Sequence, residues 1–398
     1  VTHVSMHGAV LNSLALKKYN ITAATKTPPG GIITRKPGSN EPAGLVMEMA
    51  YLPIFAALPK PTPDEELSWS RAAQQLYAQA GITTAHEGAT HASDLALMQR
   101  VSAAGGNQID IVAYPFITEL DAILKSNPPS SFGQYNNGLK LGGAKITIDG
   151  SVQGRTALFT TPYLVEGPNG EKPWKGVAPF TQQQLNQMVK QVYDLGLPLD
   201  LHANGDGAID MLLAAHEFAA AGDLEKERHV TAVHSQFVRR DQLDKYRKYK
   251  ITPSFFTQHT YFFADTHLVL RGKQQTDFIS PMRTAIDMGL RPSNHTDFVV
   301  TPLDQLFVIW TAVNRISRNG VLIGGGERIT PLEALEAITL SAARQHGDEQ
   351  TKGSLEPGKL ADMVILSANP LTVEPMQIKD IKVVETFKQG RRIYPQQL

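Results

Sequence analysis

The feature that most constrains the fold is a regular alternation between short apolar segments and amphipathic helices through the middle of the chain. Seven segments have the length and apolar content of buried strands: residues 81–87, 108–116, 143–149, 197–203, 229–235, 251–256 and 290–297. Helical patterns lie between them, and repeated strand–loop–helix units at this spacing indicate parallel strands joined by α-helices. The sequence therefore predicts an α/β protein.

Two α/β architectures fit this alternation. A closed (β/α)8 TIM barrel has eight strands, one more than the seven segments found here. A doubly wound open sheet is the competing architecture, but no glycine-rich phosphate loop follows any strand, and polar residues end many strands instead of one switch point. We therefore predict a (β/α)8 TIM barrel whose first strand is absent from this chain.

The composition and pattern of the sequence change on both sides of the predicted barrel. Residues 1–65 are rich in proline and glycine, which predicts an irregular insertion or loop layer of the barrel domain. Residues 66–348 form the predicted barrel domain, which would be the catalytic one. Residues 349–398 contain two β-like segments with no helix after them, which predicts a small C-terminal β element outside the barrel. Because the chain starts at Val1 without a signal-peptide pattern, we expect it to be truncated.

Charge and composition exclude several classes of protein. Lysine plus arginine and aspartate plus glutamate number 38 each, so nothing indicates a nucleic-acid or membrane-surface partner. No apolar segment approaches the roughly 18 residues of a membrane span. The chain has no cysteine, which excludes disulfides, thiolate catalysis and cysteine-ligated zinc. We expect a soluble protein, and either the cytoplasm or the periplasm is compatible with a chain that lacks cysteine.

Polar side chains lie at or just beyond the ends of the predicted strands, where such barrels place their active sites. They are Glu87, Lys145, Asp149, His202, His234, His259 and Asp297. A single histidine at a strand end is more often structural, but two on consecutive strands with an aspartate on a third favour a metal site. Neutral imidazoles and a carboxylate hold zinc or a similar ion. Such an ion activates water, and an aspartate beside the water can act as the base.

Several longer motifs occur in order along the chain. They are "GAKITIDGSVQGRTALFTTPY", "LHANGDGAIDMLLAAHE", "VHSQF", "HTDFVVTPLDQL" and "GSLEPGKLADMVIL" followed by "VVETFKQGRRIY". Together they resemble the metal-dependent amidohydrolase superfamily over essentially the whole chain. Within it they resemble the YtcJ-like branch (amidohydrolase family 3), which includes N-substituted formamide deformylase and the exoenzyme regulatory protein AepA. The resemblance implies a metal-dependent hydrolase of a C–N bond, in an amide or N-formyl group of a small molecule. It also implies that residues 349–398 are the C-terminal part of a small β-sandwich.

The resemblance also implies a metal site with one or two divalent ions, zinc being the expected metal. His202 would be the strand-five ligand and His234 the strand-six ligand. Asp297 would be both a ligand and the catalytic proton shuttle. Lys145 matches the lysine that many members carbamylate so that it bridges two ions, although a structural pair with Asp149 is the alternative.

Six residues are expected on the substrate side of the site: Glu87, Asp149, Ser151, Arg155, His259 and His7. Glu87 is also an alternative bridging carboxylate. Arg155 would either clamp a substrate carboxylate by a bidentate contact or pair with a nearby acid. The expected partners are a small-molecule amide, a second copy of the chain in a homodimer, and the missing N-terminal segment.

One departure from the family pattern leaves alternatives open. The first strand of the family normally supplies a His-x-His pair, and this sequence contains none. An incomplete metal centre would instead suit a non-catalytic or regulatory amidohydrolase-like protein, or an inactive fragment. A metal-free hydrolase with a carboxylate pair such as Asp149 and Asp297, in the manner of glycosidases, is a third hypothesis. The strand-end histidines speak against it.

Overall fold

The computed structural model describes residues 1–4, 6–59 and 61–395, so the last three residues of the predicted C-terminal portion lie outside the described residues. The first elements are β1 Gly8–Val10, α1 Ser13–Lys18, β2 Gly31–Arg35, β3 Pro42–Glu48 and α2 Leu52–Ala56. The three strands form an antiparallel sheet in the order β1-β3-β2. The segment predicted to be irregular thus contains a small sheet, and its buried residues, such as Ile33 and Val46, form a core of their own.

Parallel strands and helices alternate through the next part of the chain. The elements are α3 Pro63–Gln79, β4 Thr84–Thr90, α4 Ala92–Ala103, β5 Asp110–Pro115, α5 Ile117–Leu124, β6 Tyr135–Asn136, β7 Leu139–Leu141, β8 Ala144–Thr147, α6 Gln182–Asp194, β9 Leu199–Ala203, α7 Asp206–Ala220, β10 Val230–His234, α8 Arg240–Tyr249 and β11 Ile251–Phe255. A short 3-10 helix lies at Pro129–Ser131.

Short helices and a small sheet complete the chain. The elements are α9 His259–Phe262, α10 Ala264–Arg271, α11 Lys273–Thr276, α12 Met282–Asp287, β12 Ser293–Asn294, α13 Gln305–Asn314, α14 Pro331–Ile338, α15 Leu340–Gln345, β13 Met363–Leu366, β14 Val383–Lys388 and β15 Arg391–Tyr394. Two further 3-10 helices lie at Gly325–Glu327 and Pro375–Asp380. Within the described ranges, no helix has the length and apolar character needed to cross a membrane.

The strands from β4 to β12 form two sheets whose pairing follows the predicted order. One sheet has the order β4-β5-β7-β6, and the other has the order β8-β9-β10-β11-β12. A parallel bridge between Phe116 and Lys145 connects them, so each of the seven predicted segments contains a strand of one parallel arc. No ladder joins β12 to β4 among the residues that the structure describes. The mixed α/β fold with a parallel sheet is therefore confirmed, whereas closure into the predicted barrel is not observed.

Local sequence signals explain where these elements begin. Thr181 and Gln184 form a capping box at the start of α6, and Thr330 and Glu333 form another at the start of α14, as their spacing predicts. All residues of β9 and β10 are buried, because helices cover one face of a parallel sheet and the interior of the arc covers the other.

The C-terminal strands form an antiparallel sheet in the order β13-β14-β15. It lies within residues 349–398, which were predicted to be the C-terminal part of a small β-sandwich, and a sandwich is not shown among the described residues. Ion pairs attach this C-terminal sheet to the parallel strands. Asp110, the first residue of β5, lies 2.6 Å from Lys388 Nζ and 2.5 Å from Lys352 Nζ. Asp348 binds Lys140 at 2.6 Å, and Asp362 binds Lys388 at 2.6 Å. We call these six residues the amino-end network, because its central carboxylate, Asp110, is at the amino end of β5.

Candidate active site at the carboxyl ends of the strands

Two neighbouring parallel strands bring the two predicted histidine ligands together. His202 is the penultimate residue of β9, and His234 is the last residue of β10. The register pairs His202 with Val233 and Ala203 with His234. Both side chains are buried, and their ring centroids are 4.5 Å apart in an edge-to-face arrangement. Burial, and next the neighbouring His202, hold the pKa of His234 well below its usual value, which keeps that imidazole neutral.

Asp297 joins this pair from the segment that follows β12. Its Oδ2 lies 3.9 Å from Nε2 of His234, and its side chain is 43% exposed. The ring of His295, two residues earlier, lies 4.9 Å from that of His234. The structure thus brings His202, His234 and Asp297 together at one end of the strand arc.

Lys145 reaches the same region from β8, which pairs with β9. Its backbone pairs with that of Asp200, and its side chain is buried. Burial lowers the pKa of Lys145, and the charges of Asp200, Asp297 and Glu87 oppose that shift. The alternative of a structural pair with Asp149 is not supported, since no such ion pair is found among the described residues and the carboxylate of Asp149 is engaged elsewhere.

Asp149 is a backbone anchor below the rim of the site. Its Oδ1 accepts the N–H of Asn204, and its Oδ2 accepts those of Leu158 and Gly205, each at 2.9 Å. Nδ1 of His202 lies 3.4 Å from Oδ1. Only glycine fits at position 205, because an added Cβ would lie 1.9 Å from the carbonyl oxygen of Leu158. This use of both oxygens disfavours the glycosidase-like carboxylate pair, which needs a carboxylate free to exchange protons.

The N-terminal layer contributes a histidine–carboxylate pair. Nδ1 of His7 lies 3.0 Å from Oε2 of Glu48, and the His7 ring lies 5.7 Å from that of His202. Burial lowers the pKa of His7, but the charge and hydrogen bond of Glu48 outweigh it, so that this pKa is raised overall. Burial alone would raise the pKa of Glu48. The charge and hydrogen bond of His7, and the hydrogen bond from Thr156, outweigh burial, so the pKa of Glu48 is lowered overall. Sequence reasoning missed Glu48, whose only signal is its place at the end of an apolar segment within a stretch predicted to be irregular.

Two predicted substrate residues are directed away from this group. Nη1 of Arg155 donates to the carbonyl oxygen of Glu166 at 2.7 Å, and Oγ of Ser151 accepts the N–H of Gly154 at 3.2 Å. Neither Arg155 nor Ser151 lines the cavity that contains His202 and Asp297.

Two predicted residues remain: His259 lies beside the histidine pair, and Glu87 lines the same cavity. The His259 ring lies 6.1 Å from that of His234 and 4.1 Å from that of Phe256. Burial, and next the neighbouring His267, hold the pKa of His259 well below its usual value. Glu87 lines the cavity and accepts hydrogen bonds from the Thr90 hydroxyl and the Ala89 N–H. Burial raises its pKa, although the bond from Thr90 opposes the shift.

A second histidine–carboxylate contact, which the sequence did not reveal, lies deeper in the arc. Nε2 of His86 is 3.1 Å from Oδ2 of Asp200, whose side chain is fully buried. Asp200 precedes His202 by two residues on β9, so both side chains point to the same face of the sheet. The signal that could have found Asp200 is this two-residue spacing within "LDLHA".

The site opens into a cavity of about 1220 Å³ lined by His202, His234 and Asp297, and it extends along the gap between β4 and β12. Buried imidazole nitrogens without a hydrogen-bond partner among the described residues occur at His202, His234, His259 and His295. Because buried polar atoms are nearly always paired, such nitrogens suit a metal ion or bound ligand. The donor types thus fit a divalent ion. No group of three histidine, aspartate or glutamate residues in the described ranges is arranged to hold one by itself.

Comparisons with known proteins find relatives along nearly the whole chain. The chain is 28% identical over 403 residues to Protein LONG AFTER FAR-RED 3 of Arabidopsis thaliana, covering 98% of this chain and 67% of that protein. It is 26% identical over 408 residues to the putative amidohydrolase YtcJ of Bacillus subtilis (strain 168), covering 98% and 73%. It is 24% identical over 397 residues to the N-substituted formamide deformylase of Arthrobacter pascens, covering 97% and 71%.

Solved structures show the same fold. An uncharacterized metal-dependent hydrolase from Pyrococcus horikoshii OT3 superposes with a TM-score of 0.72 at 22% identity, covering 93% of this chain and 71% of that one. An adenosine deaminase from Xanthomonas campestris with bound zinc gives a TM-score of 0.55 at 14% identity, covering 86% and 72%. The model of the amidohydrolase family matches residues 1–394. As the motifs predicted, the chain belongs to the amidohydrolase family of hydrolases.

Proposed function

We propose that this chain hydrolyses the C–N bond of an amide or N-formyl group in a small molecule, with a bound divalent metal ion, zinc being the expected one. The observation that carries the proposal is the pair of buried imidazoles, His202 and His234, at the ends of neighbouring strands. Their rings are 4.5 Å apart, and Asp297 lies 3.9 Å from His234. Nδ1 of His234 has no hydrogen-bond partner among the described residues, and Nδ1 of His202 makes no hydrogen bond and has the Asp149 carboxylate 3.4 Å away.

Four side chains would hold one or two ions: His202, His234, Asp297 and Lys145. When bound, such an ion lowers the pKa of water and polarises the scissile carbonyl group. Neutral imidazole is the form that binds metal, and the lowered pKa of His234 keeps it in that form near neutral pH. The lowered pKa of Lys145 favours the free amine, which is the form that can be carbamylated.

Asp297 is the proton shuttle of the proposed reaction. A general acid–base must reach the reacting atoms, and Asp297 both lines the cavity and is partly exposed to it. Its carboxylate accepts a proton from the attacking water and returns it to the leaving nitrogen. Asp149 supports the site by fixing the two loops that carry Leu158 and Gly205, and its Oδ1 lies 3.4 Å from His202.

Five further residues were expected to contact the substrate or to shape its site, in addition to Asp149. His7, through its pair with Glu48, and Glu87 line the cavity, and they are proposed as contacts to the amide. His259 lies behind His234, so its proposed contribution is to the shape of the site. We assign no substrate contact to Arg155 or Ser151, because their side chains bind loop backbone instead.

Metal content tests the ligand assignment independently of turnover. The purified chain should retain near-stoichiometric divalent metal by plasma mass spectrometry, and His202→Ala and His234→Ala should each lose it while keeping their far-UV circular dichroism. His267→Gln is the matched control, because His267 is equally buried but lies on α10 and is not proposed as a ligand. Metal retained by both alanine variants, or only trace metal in the parent chain that added metal does not activate, would show that the assignment is wrong.

The alternative is a non-catalytic or regulatory protein of the same family. The observation that favours it is the ligand count, since no group of three histidine, aspartate or glutamate residues among the described ones is arranged for a metal. In that case the chain would fold and bind small amides, but it would not turn them over with any added divalent ion.

A further inference from the structure

A carboxylate of the N-terminal layer is held tightly at the rim of the candidate site. Glu48, the last residue of β3, has a backbone φ of 53°, a left-handed conformation that costs free energy for a residue other than glycine. Its side chain is 15% exposed. Oε1 accepts the hydroxyl of Thr156 at 2.5 Å, and a Cβ added at Gly150 would collide with this oxygen. Backbone strain that is held in place by such packing is typical of functional positions.

The other oxygen of Glu48 orients the imidazole of His7. Oε2 lies 3.0 Å from Nδ1 of His7, and the backbone N–H of Glu48 donates to the carbonyl oxygen of His7 at 2.9 Å. Nε2 of His7 makes no hydrogen bond among the described residues, and it is not one of their buried atoms without a partner. His7 lines the cavity, and its ring lies 5.7 Å from that of His202. Nε2 is therefore open to the cavity, close to the proposed metal site.

An imidazole held in this way can serve two acceptors. As an amide is attacked, negative charge develops on its carbonyl oxygen, and a fixed N–H group directed at that oxygen stabilises the charge. A protonated imidazole donates from both nitrogens, so His7 can bind Glu48 through Nδ1 and a substrate through Nε2. Burial lowers the pKa of His7, but Glu48 and, to a lesser degree, Asp297 raise it overall. A bound metal ion would repel this cation, and the carboxylate of Glu48 offsets that repulsion.

We infer that His7 is a further catalytic residue, which donates a hydrogen bond from Nε2 to the carbonyl oxygen of the scissile amide, and that Glu48 is the positioning residue that holds it there. The inference rests on the proposed function and adds a hydrogen-bond donor to it. No bond is made or broken at His7, because the imidazole keeps its proton while the oxygen gains and then loses charge. Thr156, which is fully buried, fixes the carboxylate of Glu48 in turn.

Two substitutions and their combination test the inference in the metal-loaded chain, with N-(2-phenylethyl)formamide as the substrate. His7→Gln should lower kcat by about 10²–10³-fold, the usual cost of removing one such donor. KM and metal content should change little, because the lost hydrogen bond is strongest in the transition state. Glu48→Gln, which keeps an acceptor for Nδ1 but removes its charge, should lower kcat by about tenfold. In the double variant Glu48→Gln should add nothing to the effect of His7→Gln, because Glu48 acts through His7.

Glu41→Gln is the matched control, because Glu41 lies in the same N-terminal layer and forms an exposed pair with Lys36 at 2.7 Å, but does not line the cavity. This control should keep the kcat of the parent chain. Three results would each overturn the inference and leave the proposed function intact. They are a kcat of His7→Gln within about threefold of the parent value, loss of metal together with activity in His7→Gln, and a full effect of Glu48→Gln in the double variant.

Formate binding decides the inference if the parent chain does not hydrolyse the formamide, a result that would count against the proposed function instead. Formate carries a full negative charge on its oxygens, so it tests the same donor without turnover. Its affinity for the metal-loaded chain, measured by calorimetry, should fall at least about tenfold in His7→Gln, the usual effect of losing one charge-assisted hydrogen bond, and should not fall in Glu41→Gln. Equal affinity in the parent chain and His7→Gln, or no binding of formate to the parent chain, overturns the inference.

Discussion

At the amino ends of the strands, buried Lys352 has a carboxylate oxygen of Asp110 2.5 Å away, whereas at the carboxyl ends buried His234 has an Nδ1 without a hydrogen-bond partner among the described residues. Both regions bury titratable groups, which costs free energy unless those groups are paired. In the amino-end network each buried lysine is paired with an aspartate of the same chain. At the carboxyl end the pairing is left open, as the proposed metal site requires. The difference separates polar groups that hold the fold from groups that are proposed to perform chemistry.

Asp297→Asn should give the largest effect, and it should act on activity and metal retention and not on the fold. We expect kcat/KM for a formamide to fall by at least about 10²–10⁴-fold, the usual contribution of a general acid–base. The melting temperature of the chelator-treated chain should stay within about a degree, because this side chain is partly exposed. Asp194→Asn, on the outer helix α6, should keep full activity. A loss of melting temperature that matches the loss of activity would mean that Asp297 belongs with the structural groups.

Asp110→Asn should do the opposite: it should lower the stability of the fold and leave the activity unchanged. It leaves buried Lys352 without its nearest carboxylate, and breaking a buried ion pair in this way costs roughly 3–5 kcal/mol of the free energy of unfolding. The exposed pair of Lys190 and Asp194 provides the matched control, for which Asp194→Asn should cost less than about 0.5 kcal/mol. Urea unfolding measures both. The kcat/KM of the folded Asp110→Asn variant should be unchanged, and a large fall would break the comparison.

Stability should also depend on pH through the buried histidines behind the site. Burial lowers the pKa of His267 to about 3 and that of His295 to about 4. Because these values lie below the unfolded value of 6.5, the neutral forms stabilise the fold fully above pH 6.5. That stability is lost as the pH falls from 6.5 toward the folded values, by up to about 1.4 kcal/mol per pH unit for each histidine.

Urea unfolding of the chelator-treated chain between pH 7.5 and pH 5 measures this slope. His267→Gln should reduce the slope by the contribution of one histidine, about 1.4 kcal/mol per pH unit. Unchanged slopes in the parent chain and the variant would show that His267 does not remain neutral in the fold.

The parallel strands could be predicted because strands buried on both faces read as continuous apolar runs, as β9 and β10 do. Local spacing also predicted the capping boxes at Thr181 and Thr330. The histidine pair followed from the geometry of parallel strands, since their carboxyl ends lie at one edge. These signals are all local, or they depend only on the order of the strands.

The parts that escaped prediction depend on contacts between distant segments. Lys352 binds a residue 242 positions earlier, and Lys388 binds the same carboxylate across 278 positions, so no spacing reveals the amino-end network. Glu48 reaches the site only because the N-terminal layer folds onto the strand ends. The direction of Arg155 is set by a backbone φ of 61° and by loop carbonyls that no motif records.

The anchor at Asp149 has a consequence for the dynamics of the loops around the site. The backbone N–H groups of Leu158, Asn204 and Gly205 lie outside helices and strands, and loop amides usually exchange their hydrogens with solvent quickly. Here one buried carboxylate binds all three at 2.9 Å. Leu158 lies in the loop after β8, and Asn204 and Gly205 lie in the loop after β9. Their deuterium uptake would therefore report how often Asp149 releases these two loops and the rim of the site opens.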